Sequence, residues 1–216
     1  MKNFKTLFYL FLTLISGVVF VVYIWPYLKN KWQDGDEKQG VEVLIENYGE
    51  SINEAAETFD LPANYLKALC MMECGGAKKI KPRFEKHVFK RLKQVRDGKL
   101  NNYEHVTKDM VEDASDEALK NLASSWGPFQ LMGYKCLLLD IKIKDIRGDD
   151  GVYYGVKWID LTYGKYLRQK RFKDAFHIHN AGKPFPKSGI SKTHHPQYVN
   201  KGIKYMAVFD KMAKKN

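Results

Sequence analysis

The residue best placed to do chemistry in this 216-residue sequence is Glu73. It follows an apolar run, Leu69 to Met72, and precedes the glycine pair Gly75-Gly76. Apolar surroundings favour the uncharged form of a carboxyl, so we expect a raised pKa that keeps Glu73 protonated near neutral pH. A protonated carboxyl can deliver its proton to a glycosidic oxygen as the bond breaks. The alternative is a solvated glutamate at a helix end.

A second carboxylate, Glu85, follows twelve residues later, beyond the glycine pair. Hydrolysis of a glycosidic bond needs such a group to activate water or to stabilise the oxocarbenium-like centre. Intramolecular attack by the sugar's own C6 hydroxyl needs none. Because a glycine turn separates them, Glu73 and Glu85 could face one cleft. The structural alternative for Glu85 is an ion pair with Arg83 or a nearby lysine.

Three short segments place polar groups among glycine, proline and aromatic residues. Glycine-rich loops let the backbone approach a ligand closely, so these segments are candidate binding loops. Trp126, in the second segment, could stack on a sugar ring, although core packing explains it equally well. The segments are MECGG (Met72–Gly76), SWGPFQLMG (Ser125–Gly133) and HNAGKP (His179–Pro184).

The histidine and cysteine spacings do not predict a metal site. His177 and His179 are two residues apart and would lie on different faces of a helix, whereas zinc needs three or four converging ligands. Cys70 and Cys74 lie one helical turn apart, a poor geometry for a disulfide. Together with Cys136 they are predicted to be small buried thiols. We predict no metal and no cofactor.

Hydrophobic residues recur at three- and four-residue steps, which predicts a mainly α-helical domain of about seven short helices joined by irregular loops. Gly75-Gly76 and Asp97-Gly98 are predicted to end two of these helices. No sustained period-two alternation and no internal repeat is present. The predicted helices begin at Val41, near Pro62, at Phe84, at Ser115 or Asp116, at Val152 and near Pro196.

The N-terminus carries a segment that predicts a membrane anchor. Leu7 to Leu28 contains 22 residues without a charge, about 33 Å as a helix and enough for a bilayer core of about 30 Å. A cleaved signal peptide is the alternative, but its apolar region is usually shorter and no A-x-A-like site is present. We therefore predict a cytoplasmic tail and transmembrane anchor at 1–32, a linker at 33–40 and a folded domain at 41–216.

The net charge of +11 would draw the protein towards polyanions. Nucleic acid, anionic lipid headgroups and an acidic cell wall all qualify on charge alone. The lysines are scattered and no nucleic-acid-binding motif is present, so we predict no nucleic-acid partner.

The three segments resemble, in the same order, motifs of the lysozyme-like superfamily, which contains goose-type lysozymes, family-1 lytic transglycosylases and N-acetylmuramidases. The chain is most similar to bacterial and phage N-acetylmuramidases, over about residues 61–205. It departs from the family pattern at Cys74, usually Ser, and at His179, usually Tyr. The matching stretches are Glu73-Cys74-Gly75, Gly127 to Met132, His179 to Gly182, Lys81 to Phe89, and Ser124 to Tyr134.

This resemblance implies a lysozyme-like α-helical fold and residues with assigned roles. Glu73 would match the general acid, and Gln130 and Asn180 would match positions that line the sugar cleft. Tyr198 would stand for a tyrosine that such enzymes place near the acid. The similarity around Glu85 favours hydrolysis over transglycosylation.

The sequence thus predicts a membrane-anchored peptidoglycan glycosidase that hydrolyses the N-acetylmuramic acid–N-acetylglucosamine β-1,4 bond. One alternative is a lytic transglycosylase that leaves 1,6-anhydro ends. Another is a non-catalytic peptidoglycan-binding scaffold of an envelope-spanning complex. The predicted location is the bacterial inner membrane, with the folded domain in the periplasm. A secretion or conjugation machine is a hypothetical partner beside the glycan strand and the membrane.

Overall fold

The computed structural model describes residues 20–214, with side chains at 20–22 and 39–214. Within this part the chain is mainly helical, which confirms the predicted fold class at that level. The chain divides after Glu42 into two compact units. The second unit, from Val43 onwards, contains the candidate site.

Nine α-helices and five short strands follow a π-helical turn, Phe20–Ile24, in the described residues. The helices are α1 (Trp25–Thr58), α2 (Ala63–Cys74), α3 (Lys86–Arg96), α4 (Asp116–Leu122), α5 (Lys135–Leu139), α6 (Ile143–Arg147), α7 (Gly151–Arg168), α8 (Phe172–Ala181) and α9 (Tyr198–Ala213). The strands are β1 (Arg83–Phe84), β2 (Asn102–Tyr103), β3 (Val106–Thr107), β4 (Ser124–Trp126) and β5 (Leu131–Met132), and a 3₁₀ turn, Lys108–Met110, follows β3.

The flanking residues account for the helix ends. Pro62 precedes α2, where its missing N–H costs nothing because the first turn leaves such groups unpaired. Gly75 ends α2 in the left-handed conformation (φ 61°), and its N–H donates to the Met71 carbonyl. Ser115 caps α4, its hydroxyl accepting from the Ala118 N–H at 3.1 Å. These three boundaries agree with the sequence predictions.

Two small antiparallel sheets connect the helices. In the first, β4 lies between β1 and β5, with Arg83 opposite Ser125; the second pairs β2 with β3. The loop between β4 and β5 turns at Gly127 (φ 72°), where a Cβ would overlap the Ile146 carbonyl oxygen of α6. Only glycine allows this approach, which holds the β4–β5 loop against α6.

The main core lies among the longer helices. Helix α9 packs against α2 and α8, and α8 also packs against α7. Gly202 of α9 lies against the Phe176 ring of α8, where a Cβ would collide. Each fully buried Leu or Phe contributes about 1.5–3 kcal/mol of hydrophobic free energy, so this packing firmly places the end of α2 beside the start of α9. Fully buried members include Tyr65, Leu66, Leu69, Ile159, Leu167 and Phe176.

A second core lies between α3, α4 and strand β3. It supports the start of α3, where the Glu85 N–H donates to the Ala123 carbonyl at 2.9 Å. Its buried members are Val88, Leu92, Val95, Val106, Val111, Leu119, Leu122, Ala123 and Tyr134.

Several predicted boundaries differ from the structure. Residues 33–40, predicted as a linker, are helical, and the helix predicted from Val41 begins at Trp25. The segment is polar but has no proline, and its Asp, Glu, Lys and Gln residues are compatible with a helix. Phe84, predicted to begin a helix, lies in β1, and α3 starts at Lys86. The segment predicted as a loop from His179 begins inside α8, which ends at Ala181.

No helix within residues 20–214 is both long and apolar enough to cross a membrane. Residues 7–19 of the predicted anchor lie outside the described part of the chain.

Candidate functional site

A groove of about 690 Å³ brings the three glycine-rich segments together. The end of α2, the β4–β5 hairpin and the end of α8 each contribute, as do the start of α9 and the segment that precedes α3. The polar and charged side chains that line it include Glu73, Lys79, Lys81, Arg83, Glu85, Ser125, Gln130, Lys135, His179, Asn180 and Tyr198.

Glu73 lies in the last turn of α2, with its side chain only 16% exposed. Burial is the largest effect on this carboxyl and raises its pKa, as expected from its apolar neighbours. A hydrogen bond from Tyr198 and the positive charges of Arg83 and Lys135 act in the opposite direction. Because burial dominates, Glu73 holds its proton to a higher pH than a solvated glutamate does.

Tyr198 is the direct hydrogen-bond partner of Glu73. Its hydroxyl donates to Glu73 Oε1 at 2.5 Å, although the two residues are 125 positions apart. Burial and the adjacent carboxyl hold the pKa of Tyr198 well above its ordinary value, so the hydroxyl remains a donor. The structure therefore brings together the two residues that the sequence related only through the family resemblance.

His179 lies on the other side of Glu73, with its Nε2 3.7 Å from Glu73 Oε1. Burial, together with the nearby charge of Lys135, lowers the pKa of His179 to about 3, so the imidazole is neutral near pH 7. The Tyr163 hydroxyl lies 2.7 Å from Nδ1 of His179, and the imidazole of His179 also forms a hydrogen bond with the Phe129 backbone. A neutral imidazole has one N–H, so Tyr163 donates to Nδ1 and the proton lies on Nε2. His179 thus adds no positive charge beside Glu73.

Glu85 lines the same groove as Glu73, at the residue before α3. Arg83 holds its Oε1 through Nε at 2.7 Å and Nη2 at 2.6 Å. His87 Nδ1 lies 3.6 Å from Oε2. The ion pair considered from the sequence is therefore present, and it leaves Oε2 the less engaged oxygen. Glu73 and Glu85 are the two acidic residues among the described side chains that line this groove.

Gln130 and Asn180 also line the groove, but their side chains hold its loops. Gln130 has a left-handed backbone (φ 47°); its Oε1 accepts from the Ser125 hydroxyl at 2.8 Å, and its Nε2 donates to the Gly127 carbonyl at 3.1 Å. Asn180 Oδ1 accepts the His194 N–H at 2.9 Å, which fastens the loop that leads into α9. Both amides therefore shape the groove wall around Glu73.

Trp126 lies elsewhere, in a neighbouring groove of about 720 Å³ that shares the wall formed by residues 79–81. Its Nε1–H donates to the Asn121 carbonyl at 2.9 Å, and the Arg147 guanidinium lies 5.8 Å from its ring centre. Trp126 therefore does not line the groove that contains Glu73.

Three residues that shape the site were not predicted from the sequence as parts of it: Arg83 and Lys135 line the groove, whereas Tyr163 is buried and contacts His179. Tyr163 orients His179 from a point where α7 departs from helical geometry (φ −143°), and its hydrophobic spacing in the sequence suggests only core packing. Arg83 was considered as an ion-pair partner alone. Lys135 is one of many lysines in a basic sequence, and nothing in its local pattern distinguishes it.

The other chemistry near the site is limited. Cys74 neighbours Glu73, but its thiol donates to the Cys70 carbonyl at 3.2 Å, and Cys70, Cys74 and Cys136 are free thiols. Among the described residues no cluster of three or more His, Cys, Asp or Glu side chains could hold a metal ion.

No protein-family profile, no curated protein and no solved structure matches this chain.

Proposed function

We propose that this protein is a peptidoglycan glycosidase that cleaves the β-1,4 bond between N-acetylmuramic acid and N-acetylglucosamine, with Glu73 as the general acid. The observation that carries the proposal is the largely buried carboxyl of Glu73, which accepts a hydrogen bond from Tyr198 and lines an open groove. A groove of about 690 Å³ lies within the usual range of ligand sites, roughly 300–1,000 Å³. It can hold a few sugar rings.

The arrangement supports proton transfer to a glycosidic oxygen. Burial raises the pKa of Glu73 and so favours its protonated form, and His179 beside it is a neutral imidazole. When the proton leaves, Glu73 becomes a carboxylate that accepts the Tyr198 O–H. A hydrogen bond to a charged acceptor is about twice as strong as one between neutral groups. Tyr198 therefore stabilises the transition state, in which this charge develops, more than the ground state.

Glu85 supports hydrolysis in preference to transglycosylation. A hydrolase needs a second carboxyl that activates water or stabilises the positive sugar, and Glu85 is the other acidic residue lining the groove. Its ion pair with Arg83 fixes the carboxylate and leaves Oε2 for a water molecule. The alternative is a lytic transglycosylase, in which the Arg83–Glu85 pair has a purely structural role.

A non-catalytic wall-binding scaffold is less well supported. Binding of a glycan does not require a buried carboxyl with a raised pKa, which costs folding stability once it ionises. A scaffold would also gain nothing from a tyrosine aimed at that carboxyl. The family to which we assign the chain, on motif order, is the lysozyme-like superfamily.

The location follows from the predicted anchor. An apolar segment at 7–28 would tether the folded domain to the periplasmic face of the inner membrane, where peptidoglycan is within reach. A tethered cutting enzyme opens the wall only near its anchor, which suits an enzyme that makes room for a secretion or conjugation machine.

The test is digestion of purified sacculi by the parent protein and by Glu73→Gln, followed by mass spectrometry of the soluble products. We expect the parent to release muropeptides with reducing N-acetylmuramic ends and Glu73→Gln to lose at least about a thousandfold in rate, as expected when the acid step is removed. Glu112→Gln, at an exposed site, is the matched control and should retain activity.

The products also separate the alternatives. Ends lighter by one water mean transglycosylation, and in that case Glu85→Gln should retain substantial activity. Equal clearing by the parent and Glu73→Gln refutes the assignment of the acid. Binding of sacculi without release of any product favours the scaffold.

A further inference from the structure

The groove is richer in cations than acid catalysis requires. Lys79, Lys81, Arg83 and Lys135 all line it, against Glu73 and Glu85. Arg83 is neutralised by its pair with Glu85 at 2.6 Å. Lys79 and Lys81 are exposed on the groove rim and well solvated. Lys135 differs from both because it is half-buried within the groove.

Lys135 has no acidic partner among the described side chains. No carboxylate oxygen lies within 4.0 Å of its Nζ, and no hydrogen bond from it is found. Its ammonium group instead lies 4.9 Å from the ring centre of Trp158 in α7, which holds the side chain in place. Burial lowers the pKa of Lys135 to about 8, although the charges of Glu104 and Glu73 act in the opposite direction. An anion that enters the groove would offset this cost of burial.

The position of Lys135 limits which anion it can meet. It lines the same groove as Glu73 and His179, and its charge acts on both. In the proposed substrate, the muramic ring that carries the reacting carbon also bears a lactyl ether, two carbons further around the ring. In peptide-bearing strands the lactyl carboxyl is an uncharged amide. Where the stem peptide has been removed, it is a carboxylate.

We infer that Lys135 binds the free lactyl carboxylate of muramic acid, so that the enzyme prefers peptide-free glycan strands. This inference rests on the proposed function. It places the protein after an amidase-type reaction, which must hydrolyse the lactyl amide and release the stem peptide to supply this substrate. A carboxylate on a stem peptide has the same chemistry, but it lies several bonds further from the reacting carbon than the lactyl group.

The test uses the full chain and three glycans of matched length: peptide-free strands, the same strands with the lactyl carboxyl converted to a methylamide, and peptide-bearing strands. We expect the parent to have a KM about tenfold lower on the peptide-free strands than on the methylamide, as for a hydrogen bond to a charged group. In Lys135→Met this ratio should fall to about one, whereas Lys135→Arg should restore most of it. Lys108→Met, at an exposed site outside the groove, is the matched control.

The outcomes separate this inference from the proposed function. Equal KM values of the parent on the free acid and the methylamide overturn the inference while cleavage continues. A preference for peptide-bearing strands that Lys135→Met removes shows that the carboxylate belongs to the stem peptide, and also overturns it. If no glycan is cleaved, the proposed function fails. Binding of the same probes to Glu73→Gln, with and without Lys135→Met, then still decides whether Lys135 recognises the lactyl carboxylate.

Discussion

Replacing Tyr198 by phenylalanine tests the proposed role of Glu73 most directly. The change removes the hydroxyl that donates to Glu73 Oε1 and leaves the ring that packs near Phe176 in the core. Since this hydrogen bond lowers the pKa of Glu73, its loss should raise that pKa further. Activity should fall with rising pH only once Glu73 loses its proton, so the alkaline limb should move to higher pH. The maximal rate should fall at the same time.

The structure sets the size of the rate effect. The bond measures 2.5 Å and the Glu73 side chain is 16% exposed, so water cannot readily replace the lost donor. Hydrogen bonds to charged groups contribute about 1.5–3 kcal/mol. If most of this acts on the carboxylate that forms during proton transfer, kcat falls about ten- to a hundredfold. Folding stability, measured where Glu73 is protonated, should fall by only about 1 kcal/mol.

The assay is the rate of release of soluble products from sacculi, measured from pH 4 to pH 9 for the parent and Tyr198→Phe. Tyr153→Phe, a change at an exposed tyrosine, serves as the control for loss of a hydroxyl. A purely structural role for Tyr198 would lower the rate equally at every pH. An alkaline limb that stays in place, or that moves to lower pH, refutes the reasoning.

Two predictions concern stability. The raised pKa of Glu73 means that its contribution to stability is complete below the ordinary value near 4.5 and is lost as pH rises through the folded-state pKa. Glu73→Gln does not ionise, so in denaturant unfolding its stability relative to the parent should increase from pH 4 to pH 8. A stability difference that is the same at both pH values would contradict the effect of burial on Glu73. Gly127→Ala should destabilise the fold by about 2–4 kcal/mol, because its Cβ meets the Ile146 carbonyl at a positive φ. Gly98→Ala, at φ +70° in open space, is the control and should cost about 1–2 kcal/mol. Equal decreases in Tm for the two variants would show that the close approach of Gly127 to Ile146 does not contribute.

Much of the helical framework could be predicted because its signals are local. Pro62, Gly75 and Ser115 determine helix ends through their own backbone and side-chain chemistry, which neighbouring residues reveal. The strands could not be predicted, since segments of two or three residues are too short for any periodicity. The polar segment 33–40 was predicted as a linker but is helical, because polarity alone does not interrupt a helix.

The site was predictable only as separate pieces. Glu73 stood out through its apolar neighbours and the glycine turn, which are adjacent in sequence. Its contact with Tyr198 depends on how α9 packs against α2, which no local pattern encodes. Lys135 could not be predicted for the same reason, because its position in the groove and its contact with Trp158 depend on the tertiary fold.

The surroundings of Glu73 act on its carboxyl in both directions, and burial, which favours the protonated form, is the largest effect. Glu73 lies at the C-terminal end of α2, where the partial negative charge of the helix end opposes a second negative charge. Of the two cations that oppose this, Arg83 is also paired with Glu85 at 2.6 Å. Lys135 has no direct ion-pair partner in the described part of the chain, and the charges of Glu104 and Glu73 act on it from further away. An anionic substrate that pairs with Lys135 would therefore strengthen the hold of Glu73 on its proton at the moment when the proton is needed.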